Sequence, residues 1–308
     1  MTLHKAVKQY IALKQSLGFR FHGQSVILAA FSKAMGKVSL CQIKPRAVQA
    51  YLDGRGPVTR YWHYKWETLH PFYRYAMARG WARRSPLPVQ VPKLDITFTA
   101  YIYTPTELRA LLKAITPERT GDLSPQTVRA LILVLYGAAL RISEALKLEI
   151  RDVDLQERLL CVRQSKFFKS RCVPIGPKLN AVLRDYERQR PALRAPNRFF
   201  FCTNTGCPVS RSTMERVFAK LRLAAGVKRS DGGRFQPRLH DLRHAAAVHR
   251  LVAWYRNGAD VQLLLVKLSA YLGHVDIAAT QKYLTWTPEL REQANARFAR
   301  YVLGGAHD

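Results

Sequence analysis

The first 85 residues place apolar side chains at every third or fourth position, which is the spacing of one face of an α-helix. Gly18 and Gly36 interrupt this spacing, and glycine is common at the end of a helix. The spacing predicts a helical N-terminal domain over residues 1–85. The positions that carry it are Val7, Tyr10, Ile11, Leu13, Leu17, Val26, Ile27, Ala30 and Phe31.

A proline-rich segment separates this domain from the rest of the chain. Residues 86–103 contain three prolines, which disfavour a regular helix and favour an extended linker. Helical signals resume at Thr104, a candidate N-cap followed by Pro105 and by Glu107 at the position that completes a capping box. We therefore expect a second domain over residues 104–308 whose first helix runs from Pro105 to Ile115.

The second domain mixes helical spacing with two short β-branched runs. Helices are predicted over 127–140 and 142–148, followed by strands over 158–163 and 171–175 that form a hairpin around residues 164–170. The predicted fold class is mainly α with a small β-hairpin (α+β). Further helices are expected at about 177–190, 211–225, 240–256, 259–272, 276–284 and 288–302.

The charge of the chain indicates its partner. Fifty lysines and arginines against 21 acidic residues give a net charge of +29 and a pI near 10.4, which favours a polyanion. The positive charge is spread along the whole chain, so double-stranded DNA is favoured over a membrane. Between residues 60 and 84 basic residues alternate with aromatic ones, which we interpret mainly as core residues. The basic residues expected to contact phosphates are Arg60, Lys65, Arg74, Arg79, Arg83 and Arg84.

Other features narrow the class of protein. The longest apolar run, residues 130–140, is shorter than the ~20 residues of a membrane-spanning helix, and the N-terminus lacks the pattern of a leader peptide. We expect a cytoplasmic protein of a bacterial-type cell, associated with the nucleoid. The five cysteines form no Cys-x-x-Cys motif, and only Cys202 and Cys207 lie close in sequence, so we expect no metal site and no cofactor.

One helical motif carries candidate chemistry. His240, Arg243 and His244 occupy positions i, i+3 and i+4, which brings their side chains to one side of a helix. A metal-free site for phosphodiester chemistry needs cations around the phosphate, and arginine donates two hydrogen bonds to phosphate while keeping its charge. Such a short motif arises by chance about once in a chain of this composition, so the motif alone decides little.

The order of several motifs is more specific. Arg141 and Glu144 lie in the segment Gly-Ala-Ala-Leu-Arg-Ile-Ser-Glu, Lys166 lies in the predicted hairpin turn, and Leu-Gly-His274 precedes Tyr283 by nine residues. Over residues 104–302 this arrangement resembles the tyrosine recombinases, a class that includes phage and transposon integrases. The helical first 85 residues are similar to the core-binding, DNA-clamping domain of that class.

The resemblance implies roles for individual residues. Tyr283 would attack a DNA phosphate and form a covalent 3′-phosphotyrosyl link, without metal or cofactor. Arg141 and Arg243 would hold the non-bridging oxygens and Glu144 would brace Arg141. The remaining assignments are His240 as the base, Lys166 as the acid for the 5′-hydroxyl, His274 as a hydrogen-bond donor and His244 as a supporting residue. The resemblance also implies a tetramer that acts on two DNA sites, with accessory proteins as possible further partners.

Several alternatives stay open at this stage. A DNA-binding relative with an inactive site, a chromosome or plasmid dimer resolvase, and a relaxing topoisomerase share parts of the pattern. A metal-dependent nuclease is disfavoured because acidic residues are sparse around these motifs. The long segment between His240 and His274 favours an integrase of a mobile element. The apolar spacing after residue 287 predicts a C-terminal helix, which could pack on its own domain; the resemblance implies instead that it docks on a neighbouring protomer.

Overall fold

The computed structural model describes residues 1–54, 56, 58–93, 100–163, 170–190, 198–233 and 235–285, together with residues 292 and 295. The chain divides into two compact units, Met1–Thr97 and Phe98–Asp308. Lys166 and all but two residues of the predicted C-terminal helix lie outside the described residues. Within the described part of the chain, no helix is both long enough and apolar enough to cross a membrane.

The first unit is helical, as the apolar spacing predicts. Its helices α1 and α3 pack against the long helix α4, and α2 packs against both α1 and α4. The core contains the aromatic side chains of Trp62, Phe72 and Tyr73, which confirms their interpretation as core residues. The helices are α1 (Leu3–Ser16), α2 (His22–Met35), α3 (Pro45–Asp53) and α4 (Arg60–Ala78), with a 3-10 turn at Leu40–Gln42.

The start of the predicted linker packs on this first unit. Leu87 is buried in the same core cluster, and the Trp66 indole N–H donates a hydrogen bond to the Pro88 carbonyl oxygen. The prolines therefore extend the first unit along an irregular path beyond residue 85.

The second unit consists of helices around a small antiparallel sheet. Its first helix begins at the predicted capping box, where the Thr104 hydroxyl accepts from the Glu107 backbone N–H and the Glu107 carboxylate accepts from the Thr104 backbone N–H. The longer helices are α5 (Pro105–Lys113), α7 (Pro125–Gly137), α9 (Pro177–Gln189), α10 (Arg211–Ala224), α11 (Asp241–Arg256) and α12 (Val261–Leu272). The short ones are α6 (Pro117–Thr120), α8 (Ile142–Ala145) and α13 (Ala278–Gln281), with 3-10 turns at Ile150–Asp152 and Lys282–Thr285.

The sheet has one strand more than the predicted hairpin. Strands β2 (Leu159–Val162) and β3 (Arg171–Pro174) pair antiparallel as expected, and β1 (Val153–Asp154) pairs with the other edge of β2. The two-residue strand β1 is too short to show an alternating pattern, so periodicity could not reveal it. Leu160 and Val173 face the core, where they are fully buried.

Helix α7 ends three residues earlier than predicted. Ala138 caps the helix, and Ala139 then adopts a left-handed conformation with φ of 50°. The chain reverses direction here, so that Arg141 becomes the N-cap residue of α8 instead of continuing α7. This break presents the Arg141 side chain beside the end of α12.

Candidate active site

Arg141 is held by a carboxylate and a backbone carbonyl. Its guanidinium donates to Glu144 Oε1 at 2.7 Å and to the Gly273 carbonyl oxygen at 3.1 Å, and its backbone N–H donates to Glu144 Oε2 at 3.0 Å. About a quarter of the Arg141 side chain remains exposed. The guanidinium is thus fixed in direction while part of it stays accessible to a ligand.

Glu144 is the negative charge at the centre of this cluster. Its side chain is 4% exposed and forms ion pairs with Arg141 at 2.7 Å, Arg171 at 2.9 Å and Arg243 at 3.8 Å. Burial alone would raise the pKa of this carboxyl, but the hydrogen bonds and charge of Arg171 and Arg141 lower it to about 2. Glu144 therefore stays ionised at any physiological pH.

Arg171 also belongs to this cluster, although sequence patterns assigned it no role. It lies at the start of β3, and its guanidinium donates to both Glu144 oxygens, at 3.2 and 2.9 Å, and to the Tyr271 carbonyl oxygen at 3.0 Å. Gly273 has φ of 67°, which favours glycine, and a Cβ atom there would lie 2.6 Å from this guanidinium, so a larger residue would displace Arg171 from its position. Arg171 joins the sheet to the end of α12 and to Glu144. Its basic neighbours in the hairpin made it look like an ordinary surface residue.

Arg243 is almost completely buried in α11. It donates to the Ala139 and Leu272 carbonyl oxygens, both at 2.6 Å, and is 2% exposed. Burial lowers its pKa to about 10, and the nearby charge of Arg141 contributes to the shift, so Arg243 remains a cation at neutral pH. The strained turn at Ala139 and the end of α12 both supply it with acceptors.

Three histidines lie close to these cations. The rings of His240 and His244 meet edge to face with centroids 4.8 Å apart, and His274 Nδ1 is 2.7 Å from the Thr280 hydroxyl. Burial lowers the pKa of His240 to about 4, of His244 to about 3 and of His274 to about 4, and the charge of Arg243 adds to each shift. All three are neutral at pH 7 and can accept a proton or donate one hydrogen bond.

Tyr283 lies in the middle of this group. Its hydroxyl is 3.1 Å from His244 Nδ1, and its ring stacks on His274 with centroids 6.1 Å apart. The tyrosine is 2% exposed. Burial raises its pKa, although Arg243, which also forms a hydrogen bond with it, and Arg141 lower it in part. The phenol is therefore protonated at pH 7 and needs a proton acceptor before it can attack.

The second unit brings together most of the residues predicted for the site. The histidine with a hydrogen bond to Tyr283 is His244, expected only as a supporting residue, whereas His240 packs behind it. Lys166 lies outside the described residues, and no group of three or more His, Cys, Asp or Glu side chains in the described part of the chain could hold a metal ion. The residues that converge are Arg141, Glu144, His240, Arg243, His244, His274 and Tyr283.

The basic residues predicted to bind DNA lie in the first unit, and one of them differs from the rest. Lys65 is 7% exposed, and its ammonium donates to the carbonyl oxygens of Tyr51 and Leu52 at the end of α3. This position corrects the expectation for Lys65, because its charge caps a helix and does not face solvent. The exposed ones are Arg60, Arg74, Arg79, Arg83 and Arg84.

Comparison with known proteins agrees with this geometry. Residues 102–289, which include all seven converging residues, match the phage integrase family. The chain belongs to the phage integrase family. Among its relatives, y4rB of Sinorhizobium fredii, named as an integrase/recombinase, is 32% identical and aligns over 97% of this chain and 98% of its own length. The tyrosine recombinase XerD of Listeria innocua is 27% identical over 82% of this chain and 74% of its own length.

A solved structure extends the likeness to the fold of this phage integrase family member. A lambda integrase tetramer bound to a Holliday junction superposes with a TM-score of 0.69 and 17% identity, covering 92% of this chain and 77% of that one. At this identity the comparison establishes the fold alone, a mainly helical chain with a small sheet. The predicted fold class and family are confirmed.

Proposed function

We infer that this protein is a site-specific DNA recombinase that cuts and rejoins strands through a covalent bond between DNA and Tyr283. The observation that carries the proposal is the position of Tyr283, a phenol within hydrogen-bonding reach of a neutral histidine and of a buried arginine. In the forward step the phenol oxygen bonds to phosphorus and the bond to the 5′ oxygen breaks. The 5′-hydroxyl of another strand reverses this step and releases the tyrosine.

The two catalytic arginines would stabilise the charge that develops during attack. The pentavalent phosphorus places extra negative charge on its non-bridging oxygens, which the guanidiniums of Arg141 and Arg243 are positioned to neutralise. Glu144 and Arg171 hold Arg141 in place through the contacts described above. These contacts are already formed in the protein alone, so Arg141 needs little reorganisation when phosphate arrives.

Proton transfers complete the reaction. His244 is the nearest described acceptor for the Tyr283 proton, at 3.1 Å, and the ring of His240, the base that the sequence predicts, packs edge to face against it. His274 supplies a further hydrogen bond to the phosphate. We keep Lys166, which lies outside the described residues, as the acid that protonates the departing 5′ oxygen, because an ammonium group can donate a proton to it.

The first unit would hold the DNA. We propose that residues 1–85 form the clamp that the resemblance implies and that residues 104–308 form the catalytic domain. The exposed arginines at and after the ends of α4 are available for phosphates, and each such contact releases counterions. Lys65 is left out of this surface because its ammonium is buried on backbone carbonyls.

Recombination requires an assembly in which two DNA sites are brought together. The lambda integrase neighbour is a tetramer on a Holliday junction, and we propose the same state on DNA for this protein. The apolar spacing after residue 287 favours a C-terminal helix, and the resemblance to tyrosine recombinases suggests that this helix docks on a neighbouring protomer. Deleting residues 287–308 should preserve half-site binding and abolish cooperative binding to a full site. Cooperative full-site binding by the truncated protein would contradict this docking.

A covalent-capture experiment tests the proposed nucleophile. Nicked DNA substrates that trap the cleaved strand should yield a protein–DNA adduct on denaturing gels with the wild type. Tyr283→Phe should bind DNA equally well and form no adduct, because only the attacking oxygen is removed. Tyr255→Phe is the matched control and should form the adduct normally. An adduct with Tyr283→Phe would place the nucleophile elsewhere.

A further inference from the structure

Two cysteines lie directly opposite each other on neighbouring strands of the sheet. Cys161 of β2 and Cys172 of β3 are register partners, on the face opposite to the buried Leu160 and Val173. Cys172 is exposed and Cys161 is half-buried. Both thiols therefore point to the solvent side of the sheet, and Cys172 can meet a reagent from solution.

The strand register places these two cysteines at a non-hydrogen-bonded cross-strand position, where a disulfide can form. The Ile175 backbone N–H donates to the Arg158 carbonyl oxygen at 2.9 Å, and Pro174 has no N–H to donate to its partner Leu159. Hydrogen-bonded and non-hydrogen-bonded pairs alternate along antiparallel strands, so the cysteines form a non-hydrogen-bonded pair. The Cα atoms of such pairs lie about 4.5 Å apart, inside the range of about 4.4–6.8 Å that disulfides span.

The electrostatics of the pair agree with this geometry. Interaction with the Cys172 thiol raises the pKa of the Cys161 thiol to about 11, as expected for neighbouring thiols. The positive charge of Arg163, on the same strand edge, acts on Cys161 in the opposite direction. The pair therefore has one exposed sulfur that can react first and a second sulfur beside it that can complete a bond.

We propose that Cys161 and Cys172 form a reversible cross-strand disulfide and that this bond slows DNA cleavage. A peroxide would oxidise the Cys172 thiolate to a sulfenic acid. The Cys161 sulfur would then attack the Cys172 sulfur, form the S–S bond and expel water, so that two thiols and one peroxide give one disulfide and two waters. A low-molecular-weight thiol or dithiol restores both cysteines by exchange.

The neighbouring residues give the disulfide a consequence for the site. Cys172 directly follows Arg171, whose guanidinium holds Glu144 and the end of α12. A disulfide restricts the side-chain torsion angles of both cysteines, so it constrains the β3 backbone directly beside Arg171. The effect on cleavage rests on the proposed function, whereas formation of the disulfide does not.

Peptide mapping of the full-length protein tests the bond directly. Trypsin cleaves after Arg158, Arg163, Arg171 and Lys178, so Cys161 and Cys172 fall in the separate peptides 159–163 and 172–178. After treatment with hydrogen peroxide and alkylation of free thiols, mass spectrometry should find these two peptides joined, and dithiothreitol should separate them. Cys172 recovered as an alkylated thiol, as a sulfenic acid only, or joined to another cysteine would overturn the proposal.

The cleavage assay is run on the same samples. Peroxide should slow single-turnover cleavage by the wild type and by the control Cys207→Ser at least threefold, with recovery in dithiothreitol, and leave Cys172→Ser unaffected. A linked peptide with an unchanged cleavage rate would refute the link to catalysis. If reduced protein fails to cleave DNA at all, the proposed function fails, and the mapping experiment still decides whether the disulfide forms.

Discussion

Replacement of Glu144 by glutamine should destabilise the catalytic unit strongly. The substitution keeps the size of the side chain but removes the negative charge that three arginines share, and it turns an NH2 group toward guanidiniums that can only donate. Loss of one member of a buried ion-pair network costs about 3–5 kcal/mol, because the remaining charges stay buried without compensation. For a unit of this size, each kcal/mol lowers the melting temperature by roughly 2–4 °C, so we expect a decrease on the order of 10 °C.

Differential scanning calorimetry of the full-length protein at pH 7 measures this effect. Glu215→Gln is the matched control, since Glu215 forms an exposed ion pair with Arg211 on α10. Exposed pairs of this kind contribute about 0.2–1 kcal/mol at most, so the control should melt within a few degrees of wild type. If Glu144→Gln melted as close to wild type as the control does, the central role given to this carboxylate would be refuted.

Other predictions concern the cations, the histidines and the DNA surface. Arg171→Lys should slow single-turnover cleavage on the order of 100-fold with little change in DNA affinity, because lysine cannot bind a carboxylate and a carbonyl in the same fork geometry. An equal loss of DNA affinity would indicate instead that Arg171 contacts a phosphate directly. Replacing both Arg83 and Arg84 by alanine should reduce the slope of log K against log salt by about two, measured by fluorescence anisotropy; an unchanged slope would remove them from the DNA surface. Calorimetry across pH should show the full free energy of unfolding above pH 6.5 and a decrease as the pH falls toward 4. The reason is that the unfolded chain binds protons at His240, His244 and His274, which stay neutral in the folded protein because their pKa values are lowered. A constant free energy of unfolding over this range would contradict the lowered pKa values.

The sequence predicted those parts of the fold that depend on local signals. The capping box at Thr104 and Glu107 marks the start of α5 because both hydrogen bonds form within one turn. The helical spacing of His240, Arg243 and His244 places them on one side of α11, and the order of the motifs indicates the site. These predictions need only neighbours along the chain.

The contacts that the sequence could not reveal join residues far apart in the chain. Arg171 meets Glu144 across 27 positions and the Tyr271 carbonyl across 100, and no local pattern separates it from the neighbouring surface cations. Lys65 likewise resembles a DNA-binding lysine until α3 is seen to end against it. The choice of His244 over His240 as the partner of Tyr283 depends on how the 3-10 turn at Lys282–Thr285 is placed against α11.

The burial of Tyr283, the proposed nucleophile, limits how often the protein can cleave DNA away from its target site. The Tyr283 side chain is 2% exposed, so the attack proposed for it requires the tyrosine to move outward first. We therefore expect the cleavage rate to equal the intrinsic chemical rate multiplied by the fraction of molecules in which Tyr283 has moved outward. Each 1.4 kcal/mol needed for that opening lowers the rate tenfold. A DNA site that stabilises the conformer with Tyr283 turned outward would lower the free energy of this opening. DNA that is bound only through its charge would leave that free energy unchanged. We therefore expect the basic protein to bind DNA away from its target while the oxygen of the proposed nucleophile stays shielded, so that unwanted nicking is limited by the small population of the open conformer.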